Sequence, residues 1–339
     1  MTSQNAADRP AALDDEPDDL TYFAFAENAA KSAPEQAPEG LSEVSEIFGN
    51  RYTLERLLGV GGMGVVYRAR DLLREQFGDP NPYIALKTLS DDFAEYPDAN
   101  ALLFSEFALT SRLQHAHVVR VFSFDVDMAS KRAFITLELL NGPTLDQLLC
   151  DNPHGLPWDE LRSIAIPLIE ALLYSHQQGV LHGDIKPSNV LLADDGLRLF
   201  DYGLGQPIDG LLAGLPRLSR RRFNAWTPRY AALELINGEP LTPAADIYAL
   251  ACVLLELSSG KHPFQRLSAR QAMNIKLDQQ LQRPDQIPQH CWDALLKAIA
   301  FETQHRSQCC TELLHAFQTP EPVRRTGWLS HFSSKGAKG

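Results

Sequence analysis

The 339-residue sequence predicts an α+β fold: a strand-rich part carrying one main helix, followed by a helix-rich part. Three observations predict it. Apolar, β-branched runs bounded by turn residues cluster before Asn141-Gly142-Pro143. Helical periodicity dominates after that point. The polar and glycine-rich strings that interrupt both patterns fall between elements rather than inside them.

Taken in order, Tyr52–Arg70 and Tyr83–Leu89 suit strands, joined through Leu72–Pro82, a loop longer than a simple hairpin needs. Ala99–Gln114 has helical spacing, with Leu102, Leu103, Phe107, Leu109 and Leu113 apolar. Val118–Phe124 and Phe134–Leu140 read as strands again. Beyond Pro143 the helical candidates are Thr144–Leu149, Trp158–Gln178, Ala244–Ser258, Ala269–Leu281, His290–Phe301 and Cys309–Phe317. A short strand pair interrupts them at Val190–Leu192 and Leu197–Phe200. No internal repeat is apparent.

Charge is unevenly placed. The net charge is −12, yet residues 1–46 hold 11 of the 43 acidic side chains and only 2 of the 31 basic ones. Nine of the twelve excess negative charges therefore lie in that segment, which is rich in Ala, Asp, Glu and Pro and has the composition of a disordered chain. Its exception is Leu20-Thr21-Tyr22-Phe23-Ala24-Phe25, an aromatic cluster beside Asp14–Asp19. The near-balanced remainder argues against nucleic-acid binding. No apolar run approaches the length of a membrane span, and the N-terminus lacks the basic-then-apolar pattern of a signal peptide. The five cysteines have no metal-binding spacing, and vicinal Cys309-Cys310 reads as reduced; a cytoplasmic setting fits. The last 20 residues, with Arg324-Arg325, Trp328 and Phe332, read as a flexible tail.

Three strings carry chemistry. The first is Gly59-Val60-Gly61-Gly62-Met63-Gly64-Val65-Val66, followed by Ala85-Leu86-Lys87. Glycines let main-chain N–H groups approach anionic oxygens without a Cβ in the way. The string lies between two strands, whereas a dinucleotide fingerprint opens a helix. Lys87 sits in an apolar strand, where a charge is costly unless it is met. Farther on come His182-Gly183-Asp184-Ile185-Lys186-Pro187-Ser188-Asn189 and Asp201-Tyr202-Gly203. Two aspartates and an asparagine offer hard oxygen donors of the kind that suit Mg²⁺ or Mn²⁺.

In this order and at these separations, the strings resemble the protein-kinase fold, specifically the bacterial Hanks-type (eukaryotic-like) serine/threonine kinases, over roughly Phe48 to Phe317. The resemblance implies two lobes, residues 47–140 strand-rich and residues 141–318 helical, between the acidic segment 1–46 and the tail 319–339. It implies an ATP flap of Gly59, Gly61, Gly62 and Gly64, with Val66, Ala85, Glu138 and Leu140 around the adenine. It implies Lys87 on the α- and β-phosphates, paired with Glu106. Asp184 matches the catalytic base, Lys186 the lysine that neutralises γ-phosphate charge, and Asn189 and Asp201 the metal ligands. Thr227 should bond Asp184 and Lys186, Asp246 should brace the catalytic loop, and Arg306 should pair with Glu234. Leu137 stands at the gatekeeper position, before the hinge Glu138–Leu140.

There are three departures. Gly183 stands where the family usually has arginine, Tyr202 where it has phenylalanine, and Ala232-Leu233-Glu234 where it has Ala-Pro-Glu. The expected activity is transfer of the ATP γ-phosphoryl group to serine and threonine hydroxyls of protein substrates and of the chain itself. A phosphothreonine-binding partner could read Thr21. Two other functions compete: a small-molecule kinase of the aminoglycoside or choline type, in which His-Gly-Asp is common, and a pseudokinase scaffold.

Overall fold

The computed structural model describes residues 47–61, 64–208 and 227–320. The expectations for residues 1–46, Gly62, Ser219 and the tail beyond residue 320 lie outside these residues. The N-terminal part is a six-stranded antiparallel sheet in the order β1-β2-β3-β4-β6-β5. Its strands are β1 (Ile47–Phe48), β2 (Tyr52–Val60), β3 (Gly64–Asp71), β4 (Tyr83–Leu89), β5 (Val121–Asp127) and β6 (Arg132–Leu137). Central β4 is apolar on both faces and almost wholly buried. Helix α3 (Ala99–Thr110) packs over β4, β5 and β6. Between them Leu89, Phe93, Leu102, Leu103, Ala133 and Ile135 form a core.

The long loop after β3 contains a short helix, α1 (Leu72–Gln76), capped by Asp71, whose carboxylate accepts from the Leu73 and Arg74 N–H groups. A further turn, α2 (Asp91–Ala94), precedes α3. Two expected boundaries shift. Helix α3 ends at Thr110 rather than Gln114. The strand expected from Val118 begins at Val121, because the chain at Val118 and Val119 pairs instead with Leu199 in the second part.

The second part is built on α5 (Trp158–Gln177) and α7 (Pro243–Ser259), with α4 (Leu145–Asp151) at its start and α6 (Leu233–Ile236) between them. Helix α7 is buried on every side, as expected of a helix that is apolar all round. Thr242 caps its N-terminus, where the hydroxyl accepts from Ala245 N–H, and Pro243 opens it. Helices α8 (Ala269–Asn274), α9 (Gln289–Ala298) and α10 (Thr311–Gln318) surround it and share one large core with it. The helix expected through Leu281 breaks at Ile275; Leu277–Gln280 continues as a 3₁₀ turn.

Two short pairings carry the chemistry-bearing strings. Hairpin β8 (Val190–Ala193) and β9 (Gly196–Leu199) lies between Asn189 and Asp201. Two-residue strands β7 (Val180–Leu181) and β10 (Gln206–Pro207) pair antiparallel and close the loop that contains both strings. Buried Arg306 donates bidentately to Glu234 and also to the Ala244, Ala300 and Phe301 carbonyls. That pairing is the one expected from sequence, and it survives the Leu233 departure.

Candidate active site

The site forms where the sheet meets the second part. Lys87 projects from β4 and is buried. Its ammonium lies 2.6 Å and 2.7 Å from the two Glu106 oxygens on α3, and 3.0 Å from Asp201 Oδ1. Glu106 is itself buried, so each charge needs the others. Burial pushes the Glu106 carboxyl above its ordinary range; the Lys87 ammonium draws it down, and Asp201 pushes it up again.

Of the glycines next to these charges, one is sterically required and a second leaves little room. A Cβ on Gly64 would stand 2.7 Å from the Thr88 carbonyl oxygen and 3.4 Å from Lys87 Cε. A Cβ on Gly203 would meet Asp201 Oδ1 at 3.2 Å and Glu106 Oε2 at 3.3 Å. The hairpin containing Gly59, Gly61 and Gly64 closes with Gly61 N–H donating to the Gly64 carbonyl at 2.8 Å. Beneath it, Val66, Ala85, Glu106, Val119, Leu137, Glu138, Leu140, Phe200 and Asp201 line one pocket. The structure thus gathers all of the described residues expected around the adenine. The Glu138 carboxylate is committed elsewhere, accepting from Arg120 N–H at 2.8 Å and lying 3.5 Å from Arg198 Nε. The residue's backbone N–H donates to the Arg120 carbonyl at 2.9 Å, so what Glu138 can offer the pocket is its carbonyl.

The second cluster lies on the loop after β7. Asp184 Oδ1 accepts from the Thr227 hydroxyl at 2.8 Å, and Oδ2 lies 3.0 Å from Lys186 Nζ. Lys186 also donates to Thr227 at 3.2 Å, closing the triangle. Burial pushes Asp184 up, but Lys186 and Thr227 outweigh it and hold the carboxyl below its usual range. Asn189 Nδ2 donates to the Asp184 carbonyl at 2.8 Å, which fixes the loop. Asp246, at the start of α7, accepts from His182 N–H at 2.9 Å and Gly183 N–H at 2.8 Å. Its Oδ2 also lies 2.9 Å from His176 Nε2. His182 in turn bonds the Phe200 carbonyl at 3.0 Å, joining this loop to the Asp201 turn. Asp201 itself has φ +66° and ψ +69°, a left-handed conformation uncommon outside glycine.

Sequence reasoning missed three partners. His176 lies on the same helix as the expected apolar stripe and gave no motif signal. The Ser175–Tyr202 hydroxyl pair needed the tertiary fold. The Arg120–Glu138–Arg198 network gave no sequence signal: Arg198 is buried on β9 and meets Glu138 only in the fold.

The charge cluster makes a pH prediction. Lys87→Met removes the cation that draws the Glu106 carboxyl down, leaving burial and Asp201 to push it up further. Glu106 should then bind a proton in the folded state at pH values where the unfolded chain has lost it. A group whose folded pKa is raised contributes stability below its unfolded pKa and loses it as pH rises through the folded pKa. Urea denaturation at about pH 5.5 and about pH 7.5 checks this: the variant's stability should fall more between the lower and the higher pH than the parent's does.

Comparison with known proteins agrees with this geometry. Residues 52–334 match the protein kinase domain family. The chain is 32% identical to the serine/threonine-protein kinase PkaA of Streptomyces coelicolor, over 74% of this chain and 46% of that protein. It is 33% identical to PknH of Mycobacterium tuberculosis, over 73% of this chain and 37% of that protein. The crystal structure of the M. tuberculosis PknI kinase domain matches with a TM-score of 0.59 and 26% identity, covering 82% of this chain and 98% of that one. The chain spans less than half the length of these two curated relatives. With the two-lobed α+β fold, the paired Lys87 and Glu106 and this match over most of its length, the chain belongs to the protein kinase domain family, in its bacterial Hanks-type serine/threonine branch.

Proposed function

We propose that the chain is a serine/threonine protein kinase that transfers the γ-phosphoryl group of ATP, held with Mg²⁺ or Mn²⁺, to hydroxyls of protein substrates and to itself. The observation that carries this reading is the Asp184–Lys186–Thr227 triangle standing beside the Lys87–Glu106–Asp201 cluster. Phosphoryl transfer asks for a carboxylate at the attacking hydroxyl, cations on the phosphates and metal ligands between them. The chain offers each from a different element. The apolar pocket under the hairpin suits a purine, and the Asp201 carboxylate with the Asn189 amide oxygen is a hard donor set suited to Mg²⁺. Membership in the family carries ATP-dependent phosphotransfer, generally with Mg²⁺.

When bound, the metal-nucleotide supplies the electrophilic phosphorus and neutralises charge on its oxygens. The residues do the rest. Lys87 orients the α- and β-phosphates, and Glu106 holds Lys87 in place. Asp184 stays ionised and accepts the proton of the incoming hydroxyl as the oxygen–phosphorus bond forms and the bond to the leaving diphosphate breaks. Lys186 offsets charge on the transferring group. Thr227 ties the docking segment to both. A bonded Thr227 at the start of a peptide-binding segment favours protein over small-molecule substrates, and the similarity to serine/threonine kinases points the same way.

We also propose the lobe boundaries 47–140 and 141–318, a cytoplasmic place of action, and a phosphothreonine-binding partner for Thr21. Among the described residues no helix is long and apolar enough to cross a membrane. Comparing proteins captured by chains with and without phosphorylated Thr21 tests the partner; identical sets would refute it.

Phosphosite mapping after incubation with Mg·ATP and a cell lysate, against an Asp184→Asn control, tests the activity: new phosphoserine and phosphothreonine should appear only with the active chain. Lys87→Ala and Asp201→Ala should each lower transfer by at least roughly 10²-fold, since electrostatic alignment supplies most of the rate. Full activity in both would sink the assignment.

Gly183 sets a further expectation. It has φ +81°, a backbone that suits glycine, and its N–H is held by Asp246. With no side chain it cannot receive a phosphate from the segment between Asp201 and Glu234. Basal activity should therefore not need phosphorylation of that segment. Ser219→Ala should stay within a few-fold of the parent chain, while Thr227→Ala loses most activity. Phosphatase-treated enzyme, assayed over its first turnovers, is the check; a long lag abolished by prior phosphorylation at Ser219 would contradict it.

A further inference from the structure

Tyr202 directly follows Asp201 and is almost fully buried. Its ring packs on the His182 imidazole with centroids 4.5 Å apart, and its hydroxyl lies 2.7 Å from the Ser175 hydroxyl on α5. Ser175 is also buried, and it donates to the Ala171 carbonyl, one turn back, at 2.9 Å. A serine hydroxyl carries one hydrogen. With that hydrogen on Ala171, Ser175 must accept from Tyr202, so the pair has a fixed direction.

The residue beside this pair needs holding. Asp201 sits in the left-handed region, a conformation that costs an L-residue energy, though less for aspartate than for most. Lys87 holds its carboxylate from one side. Gly203, on the other side of Tyr202, has no side chain with which to anchor the turn. Farther along the turn, the Gly205 N–H donates to the Tyr202 carbonyl at 2.8 Å. Tyr202 is thus an anchor between the left-handed aspartate and the glycines. If its ring left the slot, a buried serine oxygen would lose its donor and a phenol would need a new partner. A phenylalanine would fill the slot without that bond.

We infer that Tyr202 is a positioning residue: its hydrogen bond to Ser175 latches the Asp201 turn to α5 and keeps the Asp201 carboxylate against Lys87. The latch is a property of the fold. Only its consequence for catalysis rests on Asp201 being a metal ligand, and the two can be read separately.

The test uses the full chain carrying Tyr202→Phe, Ser175→Ala, or both. Hydrogen exchange of the Gly205 amide, measured without nucleotide or metal, reads the latch. Tyr202→Phe should speed it about fivefold, the loss expected for one ordinary hydrogen bond, and the double variant should be no faster than the faster single. The Mg²⁺ concentration giving half-maximal phosphoryl transfer, at saturating ATP, reads the consequence. It should rise about fivefold in Tyr202→Phe while the melting temperature stays near the parent's. Faster exchange with an unchanged Mg²⁺ requirement would support the latch and count against Asp201 as metal ligand. Unchanged exchange in Tyr202→Phe, or fully additive effects in the double variant, would overturn the latch whatever the activity does.

Discussion

A lysine ammonium shared by two carboxylates is the constraint around which this structure is arranged. Lys87 comes from the central strand, Glu106 from the longest helix of the first lobe, and Asp201 from a turn of the second. None could be buried alone: the desolvation of a single charge at this depth exceeds what ordinary packing returns. Meeting one another, they fix three otherwise independent elements to within hydrogen-bond tolerance. The glycines follow from that. Gly64 leaves room for the Thr88 carbonyl next to Lys87 on β4, and Gly203 for the two carboxylates.

The second lobe supplies the complementary anchor. Helix α7 lies in an apolar core, and Asp246 at its N-terminal turn holds the backbone on either side of the His182–Gly183 peptide. Burial pushes this aspartate up, and the His176 hydrogen bond with the nearby charges brings it below the ordinary range, so it stays an acceptor. His182 carries the connection to Phe200, one residue before Asp201. A rigid helix therefore sets the loop bearing Asp184, and the loop sets the turn bearing Asp201. The ion cluster and the buried aspartate are two ends of one network.

Much of this was legible in the sequence because each part has a local signature. The strand Tyr83–Leu89 reads directly from its apolar run, and α5 and α7 from long helical periodicity. The Lys87–Glu106 pair, the Thr227 triangle and the Arg306–Glu234 pair followed from motif positions in the family resembled. What escaped had no local signature. The turns Asp91–Ala94 and Leu233–Ile236 are too short to show a period. The two-residue pairing of Val180–Leu181 with Gln206–Pro207 joins segments about 25 residues apart by backbone alone. Val118 and Val119 have strand-like side chains, but tertiary contact with Leu199 decides their partner. Tyr202 stood out only as a departure from the family pattern and Ser175 not at all; only the fold makes their hydroxyls meet.

The central claim is that Lys87 and Glu106 act as one unit in phosphoryl transfer. A double-mutant cycle on kcat/KM with Lys87→Met, Glu106→Gln and the combination measures this most directly. If Glu106 works only by holding Lys87, the double variant should be no slower than Lys87→Met alone, leaving a large coupling between the two positions. Losses that simply multiply would show two independent residues and contradict the account.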